Sequence, residues 1–325
     1  MHAIRLHDFG PAENLRYEAL PDPEPGPGQI GLAVEAAGVH VIDTHLRAGV
    51  AGGPFPLPEL PQIPGREVAG VVDRLGPDVD AAWLGRRVVG HLGPVSGGYA
   101  SRAVIPVTSV HEIPEGASAV EAVAMIGTGR TTMGILHQAA LRPDDVLLVL
   151  AAAGGIGSLL VQHGRGRGHT VIGAAGGTEK VALVGELGAT VAVDYEQPGW
   201  VEAVEAALGP RPATVLFDAV GGPHSAEALQ LLADGGRRLV YGGPAGDPAE
   251  LSAADEARGV TSRVVLGPVL LDLPGGIRTL ETRALEALAE GLLTPAVTTF
   301  PLADAAAAHR ALETRATIGK VVLIP

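Results

Sequence analysis

Val146-Leu147-Leu148-Val149-Leu150 is an unbroken apolar run that leads directly into Ala151-Ala152-Ala153-Gly154-Gly155-Ile156-Gly157. Such a run, too short for a helix and without alternation, reads as a strand buried on both faces. The small residues after it form a tight turn, and Gly155 to Arg167 reads as a helix. A helix that starts at such a turn presents unpaired N–H groups and a partial positive charge, which suit the pyrophosphate of a dinucleotide.

The same alternation continues. Strands are expected at Thr170–Ala174, Val191–Val193, Thr214–Phe217, Arg237–Tyr241 and Arg263–Leu266. Helices are expected at Glu179–Leu187, Trp200–Leu208 and Ser225–Leu232. Apolar strands spaced by helices make a doubly wound parallel sheet. Ala119 to Ala140 is helical in composition.

The first ~115 residues read differently. Short runs at Ile30–Ala36, Glu67–Arg74, Arg87–His91 and Ala103–Pro106 alternate with Pro/Gly turns and predict a β-rich part. After Ile277–Gly291, read as helix, the chain ends on a β-like tail, Gly319–Ile324, expected to return to that first part. The division expected is residues 1–119 and 268–325 for the β-rich domain, and 120–267 for the dinucleotide-binding one.

Composition removes whole classes of chemistry. There is no cysteine, hence no disulfide, thiol nucleophile, Fe–S cluster or Cys-based zinc site. A formal net charge of −13 argues against a general nucleic-acid or anionic-membrane binder. Met1 is followed by His2, Arg5, His7 and Asp8 with no apolar core of a signal peptide, which points to the cytoplasm. Among 23 basic residues only Lys180 and Lys320 are lysine, so each lysine's position carries information.

An NAD site places Asp or Glu at the tip of the second strand, for the ribose hydroxyls. Here that tip reads Gly173-Ala174-Ala175-Gly176-Gly177-Thr178-Glu179-Lys180. The missing carboxylate spares a 2′-phosphate repulsion and Lys180 can pair with it, so NADPH is the expected cofactor.

The chain resembles the zinc-independent quinone oxidoreductases of the medium-chain dehydrogenase/reductase superfamily, the group that includes ζ-crystallin. The resemblance runs over nearly the whole chain. It is carried by Gly38-Val39-His40-Val41-Ile42-Asp43, Pro64-Gly65-Arg66-Glu67-Val68-Ala69-Gly70, Gly98-Tyr99-Ala100, the turn at 151–157, Phe217-Asp218-Ala219-Val220-Gly221-Gly222 and Ile318-Gly319-Lys320-Val321-Val322-Leu323. It implies a GroES-like β-rich catalytic domain with an inserted Rossmann domain, a small quinone or enone substrate, and a homodimer.

By that resemblance Ala153, Gly154, Gly155 and Ile156 hold the pyrophosphate. Gly176, Lys180 and Tyr195 surround the 2′-phosphate. Thr128 and Thr131 lie near the nicotinamide or its ribose, flanked by Gly242, Gly243, Val264 and Leu266. The loop Val50–Leu60, with Phe55 and Leu57, would wall the substrate cleft. Zinc-dependent relatives carry Cys where this chain has His40 and His where it has Arg66, so no metal is expected. The family's usual polar residues are an Asn, an Asp three residues later, and a Tyr. Here they are His40, Asp43 and His45, which makes these three the catalytic candidates. Both histidines can donate hydrogen bonds, and His45 can also serve as a proton source near neutrality. Polar packing with a solvent-borne proton is the alternative. Two other functions stay open: an NADPH-binding sensor or structural protein with little turnover, and a metal-dependent alcohol dehydrogenase with unusual ligands.

Overall fold

The computed structural model describes residues 1–51, 56–93, 96–243, 246–247, 249–267 and 275–325. Its contacts divide the chain into two compact units. One comprises Met1–Arg130, Glu281–Gly291 and Val297–Pro325, the other Thr131–Leu280 and Leu292–Ala296.

The first unit opens on a hairpin of β1 (His2–Leu6) and β2 (Leu15–Ala19). Then follow β3 (Gln29–Val39), helix α1 (Val41–Arg47), β4 (Glu67–Leu75), β5 (Arg87–His91), β6 (Arg102–Pro106), β7 (Val110–Glu112) and helix α2 (Ala119–Ala124). Ser118 starts α2 for a local reason. Its hydroxyl accepts the Glu121 N–H at 3.1 Å while the Glu121 carboxylate takes the Ser118 N–H at 2.8 Å, a reciprocal cap. The stretch Ala119–Ala140, helical in composition, is helical but not uniform: Met125–Gly129 forms a π turn before α3 (Arg130–Ala139). Gly127 and Gly129 weaken the regular helix there.

The second unit continues with β8 (Val146–Leu150), α4 (Gly155–Gly166), β9 (Thr170–Ala175), α5 (Thr178–Glu186), β10 (Val191–Asp194), α6 (Trp200–Leu208), β11 (Ala213–Asp218), α7 (Gly222–Leu229), β12 (Leu232–Val240), α8 (Ala253–Ala257) and β13 (Thr261–Val264). Its sheet is parallel in the order β10-β9-β8-β11-β12-β13. The order reverses between β8 and β11, so the turn after β8 stands at the topological switch point, where α/β sheets bind ligands. Leu147 to Leu150 are fully buried, with apolar clusters on both faces. That burial is why the run is continuous rather than alternating.

Helix α9 (Gly276–Ala289), β14 (Val297–Pro301), α10 (Ala305–Glu313) and β15 (Lys320–Ile324) end the chain. The tail returns as expected: β15 pairs antiparallel with β3, Val321 opposite Val39. The sheet of the first unit runs β14-β15-β3-β4-β5-β7, with β6 also on β3. In its register Gly38 faces Glu67 across β3/β4, and Glu67 faces His91 across β4/β5. Among the described residues no helix is long and apolar enough to cross a membrane. Phe55 lies outside the described residues, and Leu57 is exposed.

Candidate functional site

In the second unit, the turn after β8 is closed by contact. A Cβ on Gly157 would lie 2.2 Å from the Ala151 carbonyl oxygen and 2.8 Å from Ala152 Cα. Helix α4 therefore packs directly on the end of β8, with Gly154 at its N-cap in extended backbone. The first N–H groups of the helix are those of Gly155, Ile156 and Gly157, while the Gly154 N–H donates to the Ala151 carbonyl at 2.8 Å. Ala151 takes φ 51°, a left-handed conformation where relatives of the motif place glycine. For alanine that costs about 1–2 kcal/mol.

Beyond β9 the chain turns at Gly176 and Gly177. A Cβ on Gly176 would meet Glu196 and the Tyr195 ring at 3.1–3.3 Å. Tyr195 stacks on His224, ring centroids 4.5 Å apart. No acid stands at the tip of β9 itself; Glu196 lies against Gly176, and Asp194 stands at the tip of β10. Its Oδ1 already accepts the N–H groups of Gly177 at 3.1 Å and Glu196 at 3.0 Å. Those backbone hydrogen bonds, Gly177's first, hold its carboxyl below the usual range. Lys180 sits half-buried in the first turn of α5. Gly242 follows β12 and touches Ala219, where a Cβ would lie 2.5 Å from the carbonyl oxygen. Leu266 packs on the core, whereas Val264 is 67% exposed at the end of β13. Thr131 belongs to this unit, Thr128 to the other.

In the first unit, His40 follows β3 and caps α1, where its N–H donates to Asp43 Oδ2 at 2.9 Å. Its ring lies over a buried ion pair. Glu67, fully buried on β4, places Oε1 2.6 Å from His40 Nε2 and Oε2 2.8 Å from Lys320 Nζ. Lys320 Nζ is 2.9 Å from the same His40 Nε2. Room for the carboxylate comes from two glycines. A Cβ on Gly38 would lie 2.2 Å from Oε2, and one on Gly127, in the π turn, 1.5 Å from Oε1. Burial alone would push the Glu67 carboxyl up; pairing with His40 and Lys320 outweighs it and holds the group well below the usual carboxylate range. Across the register His91 is pushed down to about 4, by burial first and then by Arg130. Its Nδ1 accepts the Gly93 N–H at 2.9 Å, so the neutral ring carries its proton on Nε2.

Asp43 serves a second network. Tyr99 donates its hydroxyl to Asp43 Oδ2 at 2.9 Å, and that hydroxyl meets His309 Nε2 at 3.2 Å. Arg66 lies 3.6 Å from Asp43 Oδ1. The structure thus brings His40 and Asp43 together and makes Asp43 the anchor of the helix that His40 begins. It sets His45 apart. Two positions from Asp43 on α1, about 200° around the helix, His45 is exposed; its carbonyl accepts the Val50 N–H, and its side chain has no hydrogen-bond or ion partner among the described residues. Glu67 and Lys320 were not among the expected catalytic residues; the scarcity of lysine was the one local signal for Lys320. Among the described residues no group of three or more His, Asp or Glu is arranged to hold a metal.

Residues 26–115 match the alcohol dehydrogenase GroES-like domain, and residues 187–323 the zinc-binding dehydrogenase domain. The chain is 32% identical to the 2-haloacrylate reductase of a Burkholderia species, over 99% of this chain and 98% of that one. It is 29% identical to a quinone oxidoreductase of Pseudomonas aeruginosa, over 99% of each. The crystal structure of Escherichia coli quinone oxidoreductase complexed with NADPH superposes with a TM-score of 0.86 at 27% identity, covering 100% of both chains.

Proposed function

From this chain's membership of the zinc-independent, quinone-oxidoreductase-like branch of the medium-chain dehydrogenase/reductase superfamily, we propose that it is an NADPH-dependent reductase of quinones or α,β-unsaturated carbonyl compounds. The observation that carries this reading is the closed turn at the switch point. Gly157 lets α4 seat on β8, so its free N–H groups stand where a pyrophosphate binds. The residues fit the cofactor. Ala153 to Ile156 would hold its pyrophosphate, and Gly176, Lys180 and Tyr195 its 2′-phosphate. Thr128, Thr131, Gly242, Gly243 and Leu266 are assigned to the nicotinamide half. Bound there, NADPH supplies the hydride. His40 and Asp43 are assigned the catalytic part, His40 as the hydrogen-bond donor to a substrate oxygen and Asp43 as the anchor of the helix that His40 caps.

A titration of NADPH and NADH, followed by nicotinamide fluorescence, tests the reading together with turnover of 1,4-benzoquinone and an α,β-unsaturated ketone. NADPH is expected to bind at least about tenfold tighter, or 1.4 kcal/mol, and Lys180→Ala to erase the preference. Equal affinity for NADH in the wild type would remove the 2′-phosphate assignment. Tight NADPH binding with no acceptor reduced would favour a sensor over a reductase.

We further expect a cytoplasmic homodimer. Strand β13 pairs only with β12 among the described residues, and all four of its residues are exposed. Such an edge is open to pairing with a second copy. Light scattering should give twice the 32.9 kDa of one chain; a single-chain mass would refute it.

A further inference from the structure

We propose that Glu196 is a cofactor-specificity residue that works against Lys180: its carboxylate repels the 2′-phosphate of NADPH and accepts a ribose hydroxyl of NADH. The proposal rests on the dinucleotide reading above, with Gly176, Lys180 and Tyr195 at the 2′ end of the cofactor. Its basis is that the Glu196 side chain lies directly on Gly176. A Cβ on that glycine would be 3.1 Å from Glu196 Cγ, 3.3 Å from its Oε1 and 3.3 Å from Tyr195 Cε2. The carboxylate therefore stands among the residues assigned to the phosphate.

An NAD site carries its acid at the tip of the second strand, where it takes the ribose hydroxyls. The tip of β9 has none. In this chain acids reach the same tip from the neighbouring strand, because β10 pairs parallel with β9 and Asp194 stands opposite Ala175. Asp194 is fixed there, since its Oδ1 accepts the N–H groups of Gly177 and Glu196. That hydrogen bond holds the Glu196 backbone but not its carboxylate.

Among the described residues, the partner of the Glu196 carboxylate is His224, whose Nε2 lies 3.5 Å from Oε1, longer than an ordinary hydrogen bond. His224 is itself engaged elsewhere. Its ring stacks on Tyr195, and its Nδ1 is 3.4 Å from Glu227 Oε2, which also accepts the Trp200 Nε1–H at 2.7 Å. Glu196 is thus weakly restrained and its side chain is 52% exposed, so it can turn toward a hydroxyl or away from a phosphate. Facing a phosphate across about 5 Å of partly screened water, it should weaken NADPH binding about threefold to tenfold. Lys180 supplies the opposing attraction.

Fluorescence titrations of NADPH and NADH on Glu196→Gln and Glu196→Ala test the proposal. Glu196→Gln keeps the size and loses the charge. It should bind NADPH about threefold to tenfold tighter at low salt, a gain that shrinks below about twofold in 0.5 M NaCl, where the screening length is about 4 Å. Glu196→Ala also loses the acceptor. It should keep the gain for NADPH and bind NADH at least about threefold more weakly. Glu186→Gln, exposed at the far end of α5, makes the same change in net charge and should move neither nucleotide. Opposite shifts are the signature of a specificity residue, because a disturbed site weakens both nucleotides. All three variants should melt with the wild type. An NADPH affinity within twofold of wild type in Glu196→Gln, or both nucleotides moving the same way in Glu196→Ala, would overturn the proposal. A wild type that binds neither nucleotide refutes the dinucleotide reading itself, and is told apart by failing before any variant is compared.

Discussion

Replacing Gly157 with valine is expected to weaken NADPH binding on the order of 10²-fold, about 2.7 kcal/mol, and to lower the melting temperature. The reason is that the neighbours are backbone. A Cβ would lie 2.2 Å from the Ala151 carbonyl oxygen, 2.8 Å from Ala152 Cα and 2.9 Å from the Ala151 carbonyl carbon. None of these can move by changing a rotamer, so α4 must lift off the end of β8. Its N–H groups then leave the position they hold at the switch point, and a displacement of about 1 Å is enough for an effect of this size. Gly166→Ala is the control. It lies at the other end of α4, where a Cβ meets nothing within 4 Å, and should leave binding unchanged and stability equal or slightly higher. Fluorescence titration and thermal melts read both variants. Wild-type affinity in Gly157→Val would mean that this turn does not hold the dinucleotide.

Gly127→Ala is expected to destabilise the protein by about 3–5 kcal/mol, the usual cost of leaving one member of a buried ion pair without its partner. The added methyl would occupy a point 1.5 Å from Glu67 Oε1 and 2.7 Å from its Cδ. The carboxylate is fully buried and held by His40 on Oε1 and Lys320 on Oε2, so it cannot shift away from the methyl without giving up those partners. Glu67 must therefore leave Lys320, which stays buried. Activity should fall with stability. A double-mutant cycle separates this cause from a general effect on the π turn: in a Glu67→Ala background the space is vacant, and Gly127→Ala should cost under about 1 kcal/mol. Additive costs across the cycle, measured by chemical denaturation, would show that the methyl does not act through Glu67.

The parts of this molecule legible in its sequence are those specified locally. The run Val146–Leu150 and the small residues behind it define strand, turn and helix by composition alone, and the structure places them at the switch point. The return of the tail was legible because Gly319–Ile324 breaks the helical pattern before it. The π turn at Met125–Gly129 was not, since apolar and small residues on both sides suit a helix equally well. The exposure of His45 follows from its place on a two-turn helix whose buried side is decided by the rest of the unit. The charged cluster was the least legible. No periodicity connects Glu67 to Lys320; only the register of β3, β4 and β15 brings them together. Asp43 looked catalytic because it stands three residues after His40, the spacing that also makes it a helix anchor. Spacing alone does not distinguish the two roles.

The interleaving of the two units also sets a timetable. His40 and Lys320 are 280 residues apart, and Lys320 begins the last strand. At ordinary rates of synthesis, on the order of 10–60 s separates their emergence from the ribosome. The inserted parallel-sheet unit is made in that interval, between the two arms of the β-rich one. Throughout it, Glu67 has no ammonium to face, and burying it would leave a charge without its counter-ion. The nascent amino-terminal arm therefore gains little by closing early, and the final strand brings both the link between β14 and β3 and the charge that lets the pocket shut.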